Sequence, residues 1–232
     1  MYIRELIIEV TRRCNMACGH CMRGDAQAVD MTRETMAKLL EGNDIDQIGT
    51  VTFTGGEPSL NVQAIRDFMD ICRANGIEVG GFYIATNGKR ISEEFIHVLM
   101  DLYMFCSDNE MSAVEVSRSI WHQNEGQDEY DIERLMILRF ARERNNLNPY
   151  DKDTRIINQG RGKEFNEAHG FEGKDLTYTP DVLNLEDESV YVNVHGDILP
   201  DCDMSYETQE ELKLGNVYQD KLVDLVDQEV EA

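Results

Sequence analysis

Cys14-Asn15-Met16-Ala17-Cys18-Gly19-His20-Cys21 places three thiols within eight residues, spaced C-x3-C-x2-C, just after the apolar run Leu6–Val10. Thiols this close, on a loop of small residues at a strand end, converge on one point. Adjacent cysteines pair poorly as disulfides, so the spacing suits a metal or an iron–sulfur cluster better. Zinc is the rival. A structural zinc site takes four protein ligands, and neither a fourth nearby cysteine nor a second C-x2-C exists here. Three ligands leave one coordination position open, which is what catalysis needs.

A second landmark lies one βα unit later. The apolar strand Thr50–Thr54 runs directly into Gly55-Gly56-Glu57-Pro58. Glycines at a strand end let backbones approach closely, and Glu57 supplies a carboxylate able to meet an ammonium group. Together, C-x3-C-x2-C and GGEP resemble the radical S-adenosylmethionine (radical SAM) enzymes over roughly the first 165 residues. The resemblance implies one 4Fe–4S cluster on Cys14, Cys18 and Cys21, with S-adenosylmethionine at the fourth iron. It implies that Gly55, Gly56, Glu57 and Pro58 meet the cofactor's methionine end.

At 232 residues and 41% hydrophobic content the chain can bury one sizeable core. No apolar run approaches the ~20 residues that span a bilayer, and Met1–Glu5 leads straight into a strand without a signal-peptide pattern. Six cysteines, three of them clustered, point to a reducing cytoplasm rather than a disulfide framework. The net charge of −23 repels phosphate backbones and makes nucleic acid an unsuitable partner. Acid is densest in Asp181–Ala232, with 15 acidic and 2 basic residues. That run reads as a solvated surface or as an acidic rim for a basic substrate.

Strands and helices alternate, the pattern of a helix-covered parallel sheet. Strands are expected at Glu5–Val10, Val51–Phe53, Phe82–Ala85, Ala113–Val116 and Arg155–Ile157. Helices are expected after Thr32, from about Asn61 to Ala74, after Ser92, and from Asp131 to about Arg144. Cys72 and Cys106 read as core thiols. The cysteine loop, GGEP, Thr86-Asn87-Gly88, Ser117 and the loop after Ile157 share the carboxyl edge of the strands, where ligands of parallel α/β folds collect. The resemblance implies a partial (β/α)6 TIM-like barrel, open on one side, over residues 1–180.

By the same resemblance, Ser117 and Asn87 line the cofactor pocket, and His20 sits where the family often carries an aromatic near adenine; for His20, simple loop packing stays open. Gln159-Gly160-Arg161-Gly162 is similar to a QGRA stretch whose backbone, at Gly160 and Arg161, faces adenine, although Arg161 could equally make a local salt bridge. Residues 181–232 read as a small β-hairpin and helix cap that resembles a degenerate SPASM or twitch extension. Its lone Cys202 cannot hold an auxiliary cluster and reads as core packing.

The implied function is reductive cleavage of S-adenosylmethionine to a 5′-deoxyadenosyl radical that takes hydrogen from substrate. A flavodoxin- or ferredoxin-type donor would supply the electron, and a peptide or protein side chain is the favoured substrate. Activation of a glycyl-radical protein, a small metabolite or nucleotide substrate, and a non-catalytic electron-transfer module are the alternatives.

Overall fold

The computed structural model describes residues 1–145, 155–178 and 189–225. Eight strands form one sheet: β1 (Tyr2–Thr11), β2 (Gln47–Gly55), β3 (Glu78–Thr86), β4 (Ala113–Arg118), β5 (Ala141–Asn145), β6 (Ser189–Val192), β7 (Asp197–Leu199) and β8 (Gly215–Asn216). Their order is β5-β4-β3-β2-β1-β6-β7-β8, parallel from β5 to β6 and antiparallel beyond. The sheet is not closed, as expected of a barrel open on one side.

Alternation along β1 sends Leu6, Ile8 and Val10 into the main core, while Ile7 packs on the opposite face with Tyr191 and Leu199. Helices α1 (Arg33–Glu41), α2 (Val62–Asn75) and α3 (Glu93–Phe105) cover the first face. Each begins where the sequence places a cap: Thr32, Asn61 and Ser92 accept from the N–H groups of Thr35, Ala64 and Phe95. The α2 stripe Ile65, Phe68, Met69 and Cys72 is buried as its 3.6-residue period predicts. Phe68 meets Phe53 of β2 edge-on at 5.2 Å, a contact worth about 0.5–1.5 kcal/mol beyond area burial. Cys72 and Cys106 lie in this core, and burial pushes both thiols up to about 12. Met100 of α3 is half exposed.

Two expectations fail in the second half. The helix predicted from Asp131 to about Arg144 ends early: α5 (Glu129–Met136), preceded by the short α4 (Ile120–Asn124), gives way to β5. Alternating Ala141-Arg142-Glu143-Arg144 pairs with β4 in register Glu115↔Arg142 and Ser117↔Arg144, and this pairing overrides the residues' helix propensity. The predicted strand Arg155–Ile157 is therefore not the fifth strand. Ile157 makes an isolated bridge to Lys174, and α6 (Gly160–His169) follows.

The C-terminal segment adds to the same sheet. The expected hairpin forms, but β6 lies parallel to β1 in register Leu6↔Val190 and Ile8↔Val192. Val190, Val192, Val194, Ile198, Val217 and Leu222 join the main core. The segment thus extends the sheet, with α7 (Tyr206–Glu211) and a 3-10 turn at Leu222–Leu225. Residues 179–188, across which the expected domain boundary falls, lie outside the described residues.

Candidate active site

Two sets of contacts grip the cysteine loop. The first comes from the GGEP and Thr86-Asn87-Gly88 turns. The N–H groups of Gly56 and Glu57 donate to the carbonyls of Thr11 and Arg13, both at 2.8 Å. A Cβ on Gly55, whose φ is +144°, would stand 2.1 Å from Thr11 O, and one on Gly56 would stand 2.3 Å from Arg13 O. The double glycine is required because the GGEP backbone presses against the loop. Pro58 is buried and opens a short 3-10 turn capped by Glu57.

Glu57 is only 1% exposed. Its Oε1 accepts from the Thr86 hydroxyl at 2.7 Å and from Ser59 N–H at 3.1 Å, and its Oε2 accepts from Asn87 N–H at 2.8 Å. Burial raises its carboxyl above the ordinary range, against the opposing pull of the Asn87, Thr86 and Ser59 donors. The carboxylate that the sequence suggests for an ammonium ligand is thus a buried tie between β2 and β3. Asn87 extends the tie, its Nδ2 donating to Asn15 Oδ1 at 2.8 Å and standing 3.8 Å from Cys14 Sγ.

The second set comes from α6 and the C-terminal segment. Gly160, at φ +50°, abuts Met22 and Gly24, so that a Cβ there would stand 2.4 Å from Gly24 N. Gly162 N–H donates to Cys21 O at 3.2 Å. Arg161 does two jobs, donating through Nε to Cys18 O at 3.1 Å and pairing with Asp25 at 3.0 Å. Gly160 and Arg161 therefore brace the cysteine loop, and the Arg161–Asp25 pair is the local salt bridge that the sequence left open for this arginine.

Between these supports the three thiols pack in one apolar cluster with Met16, Trp121, Ile156 and Phe165. Cys18 is buried, and Cys14 and Cys21 are half-buried. Burial pushes Cys18 up to about 12, and the neighbouring Cys14 and Cys21 sulfurs add to the rise. Burial likewise raises Cys14, with Arg161 opposing. Three mutually repelling, poorly solvated thiolates are stabilised only by strong positive charge among them. Among the described residues no group of three or more His, Cys, Asp and Glu surrounds one point as a mononuclear ion demands. The three thiols pack in one cluster and are soft sulfur donors of the kind an iron–sulfur centre takes.

His20 is half-buried and stacks on Trp121, with ring centroids 4.3 Å apart, and meets His122 edge-on at 5.5 Å. Its Nδ1 is buried without a partner among the described residues. Burial, reinforced by His122 and Arg161, lowers His20 to about 4. His122, lowered to about 4 by burial, bonds the Ser119 hydroxyl through Nδ1 at 2.6 Å. Sequence reasoning missed Trp121, although the chain's one tryptophan, just beyond a strand's carboxyl end, was a usable signal.

The inner face of the sheet continues from this edge. Ser117 is half-buried there, its carbonyl accepting from Gln127 at 2.8 Å. Below it Glu115 accepts from the Tyr83 hydroxyl and from Arg142 at 2.7 Å. On the β1–β6 side the half-buried Cys202 packs against Ile7, Tyr191 and Leu199. Burial, reinforced by Asp203, pushes its thiol up to about 12, in keeping with the packing role expected of it.

Comparison with known proteins matches part of the chain to a family model. Residues 8–108 match the Radical SAM superfamily. The uncharacterized protein MJ0907 of Methanocaldococcus jannaschii is 31% identical over 102 residues, covering 43% of this chain and 36% of that protein. The chain thus spans about a third of that curated relative. Native anSMEcpe with bound AdoMet is similar in fold, with TM-score 0.58 and 14% identity over 97% of this chain and 80% of the other. BtrN in an open conformation gives TM-score 0.52 and 15% identity, over 98% and 81%. SuiB of Streptococcus suis bound to precursor peptide SuiA gives 0.51 and 12%, over 99% and 65%.

Proposed function

We propose that this chain, which belongs to the radical SAM superfamily, is an enzyme that binds one 4Fe–4S cluster and S-adenosylmethionine at the carboxyl edge of its sheet. The carrying observation is the thiol cluster: Cys14, Cys18 and Cys21 packed with one set of apolar side chains, on a loop braced by GGEP on one side and α6 on the other. When bound and reduced, the cluster supplies the electron that cleaves S-adenosylmethionine to a hydrogen-abstracting 5′-deoxyadenosyl radical.

The chain's own residues orient and enclose. Gly55 and Gly56 bring the turn against the loop, and Glu57 fixes Thr86-Asn87 beside Cys14. With its carboxylate so engaged, the turn offers S-adenosylmethionine peptide groups rather than a free acid. His20 and Trp121 supply an aromatic wall that excludes water and suits a planar base. Ser117 offers a hydroxyl at the end of β4.

A peptide or protein side chain is the preferred substrate, because SuiB binds a precursor peptide and anSMEcpe has been captured with a peptide. A flavodoxin- or ferredoxin-type protein is the proposed electron donor, and the cytoplasm the proposed site of action. Anaerobic reconstitution should load about four irons per chain. Changing the three cysteines to alanine should abolish loading, whereas Cys72→Ala should not. Reduction with S-adenosylmethionine should release 5′-deoxyadenosine. Wild-type protein that takes up no iron would overturn the reading.

A further inference from the structure

Two arginines bracket the cysteines, Arg12 before Cys14 and Arg23 after Cys21, and both are buried, at 3% and 7% exposure. A buried guanidinium is costly unless its donors and charge are met. Arg12 meets Glu9 Oε2 at 3.0 Å, Gln27 at 3.1 Å and Gln209 Oε1 at 2.7 Å, and lies 4.4 Å over the Tyr206 ring. Arg23 donates to Met204 O at 2.8 Å and lies 5.3 Å over the Tyr191 ring, while its own carbonyl accepts from Tyr206 N–H at 3.1 Å. These hydrogen-bond and ring partners of Arg23 belong to the C-terminal segment, outside the matched residues 8–108, while Glu9 of β1 adds an attractive charge. The network closes on itself, since Gln209 Nε2 donates to the Tyr191 hydroxyl at 3.1 Å.

Two routes therefore hold the outgoing arm of the cysteine loop. Gly162 takes the Cys21 carbonyl, and the C-terminal segment takes Arg23, two residues on. The incoming arm, at Arg13, Cys14 and Asn15, is fixed separately by Glu57 and Asn87.

We infer that Arg23 is a positioning residue for Cys21, through which the C-terminal segment controls how tightly the third thiol is held. This rests on the cluster reading above but adds a dependence that reading does not require. The segment becomes part of the cluster's support as well as of the sheet. Outer partners of metal ligands typically change metal affinity about 10–100-fold when removed.

The test uses full-length Arg23→Met and Arg23→Lys beside wild type and Val217→Ala, which loosens the same segment's core without touching the loop. Two readouts apply: iron release to a chelator from reconstituted protein, and alkylation of each cysteine in cluster-free protein, resolved by mass spectrometry. In Arg23→Met, iron release should quicken about tenfold or more. Cys21 alkylation should rise roughly tenfold, the population shift expected from losing one charge-assisted hydrogen bond, with Cys14 unchanged. Arg23→Lys keeps the charge and one donor, so it should fall between, and it decides the matter if Arg23→Met does not fold. Val217→Ala should behave as wild type. Wild-type rates in both Arg23 variants would overturn the inference, and so would equal acceleration at Cys14 and Cys21 or in Val217→Ala. Failure of wild type itself to load iron would instead strike the cluster reading, while the alkylation readout would still judge Arg23.

Discussion

Glu57→Gln separates a frame from a ligand contact. The carboxylate receives three donors: Thr86 hydroxyl and Ser59 N–H on Oε1, and Asn87 N–H on Oε2. A glutamine offers only one oxygen. The Thr86 hydroxyl can turn to accept from the new amide NH2, but Ser59 N–H or Asn87 N–H must then face a donor. One charge-assisted hydrogen bond to a buried group is lost and one buried N–H is left unmatched. Such losses are worth about 1.5–3 and 1–3 kcal/mol, and overlap between them puts the cost at about 2–4 kcal/mol. For a chain this size, 1 kcal/mol moves the unfolding midpoint by about 2–4 °C, so cluster-free Glu57→Gln should melt roughly 4–16 °C below wild type. Well below that midpoint, calorimetry on the reconstituted variant should find S-adenosylmethionine affinity within about threefold of wild type, a difference under 1 kcal/mol. An unchanged midpoint with affinity down tenfold or more would refute the reasoning and restore the carboxylate as a direct contact.

Two further perturbations act on the same framework. Gly56→Ala drives a methyl group into the Arg13 carbonyl, 2.3 Å away; thermal melts should show a loss of about 1–3 kcal/mol, with iron uptake falling because the loop is displaced. His122, held near 4 by burial, binds fewer protons folded than unfolded, so its share of stability is present above the ordinary histidine value of about 6.5 and is lost as pH falls toward 4. Denaturant titrations of His122→Gln should show a shallower acid loss between pH 6.5 and 4 than wild type.

The legible part of this fold was what local spacing encodes. Caps at Thr32, Asn61 and Ser92, the α2 stripe and the strands through β4 all follow from nearest-neighbour chemistry. The three cysteines and GGEP were legible as motifs, and the structure puts them side by side. The bonds from Thr86 and Asn87 to Glu57 were not, because those partners lie 29 and 30 residues away and only strand pairing brings them in. β5 was misread because Arg-Glu-Arg favours a helix until β4 offers it an edge. Arg12 and Arg23 carried no signal in the sequence, because Gln209 and Met204, which they bond, lie beyond residue 190.

The placement of β6 beside β1 also sets an order of events during synthesis. β2 can pair with β1 early, yet the opposite edge of the same first strand waits for Ser189–Val192. At about 5–20 residues per second, roughly seven to twenty-seven seconds pass between the two. Through that interval β1 has an unpaired flank, and Arg12 and Arg23 lack their partners from the end of the chain. A nascent chain therefore carries its thiol loop half-anchored, with an exposed strand edge beside it, the state most open to oxidation and to mispairing. Iron loading is best timed after the last strands arrive, and a chaperone that shields β1 until then would raise the yield of cluster-bearing protein.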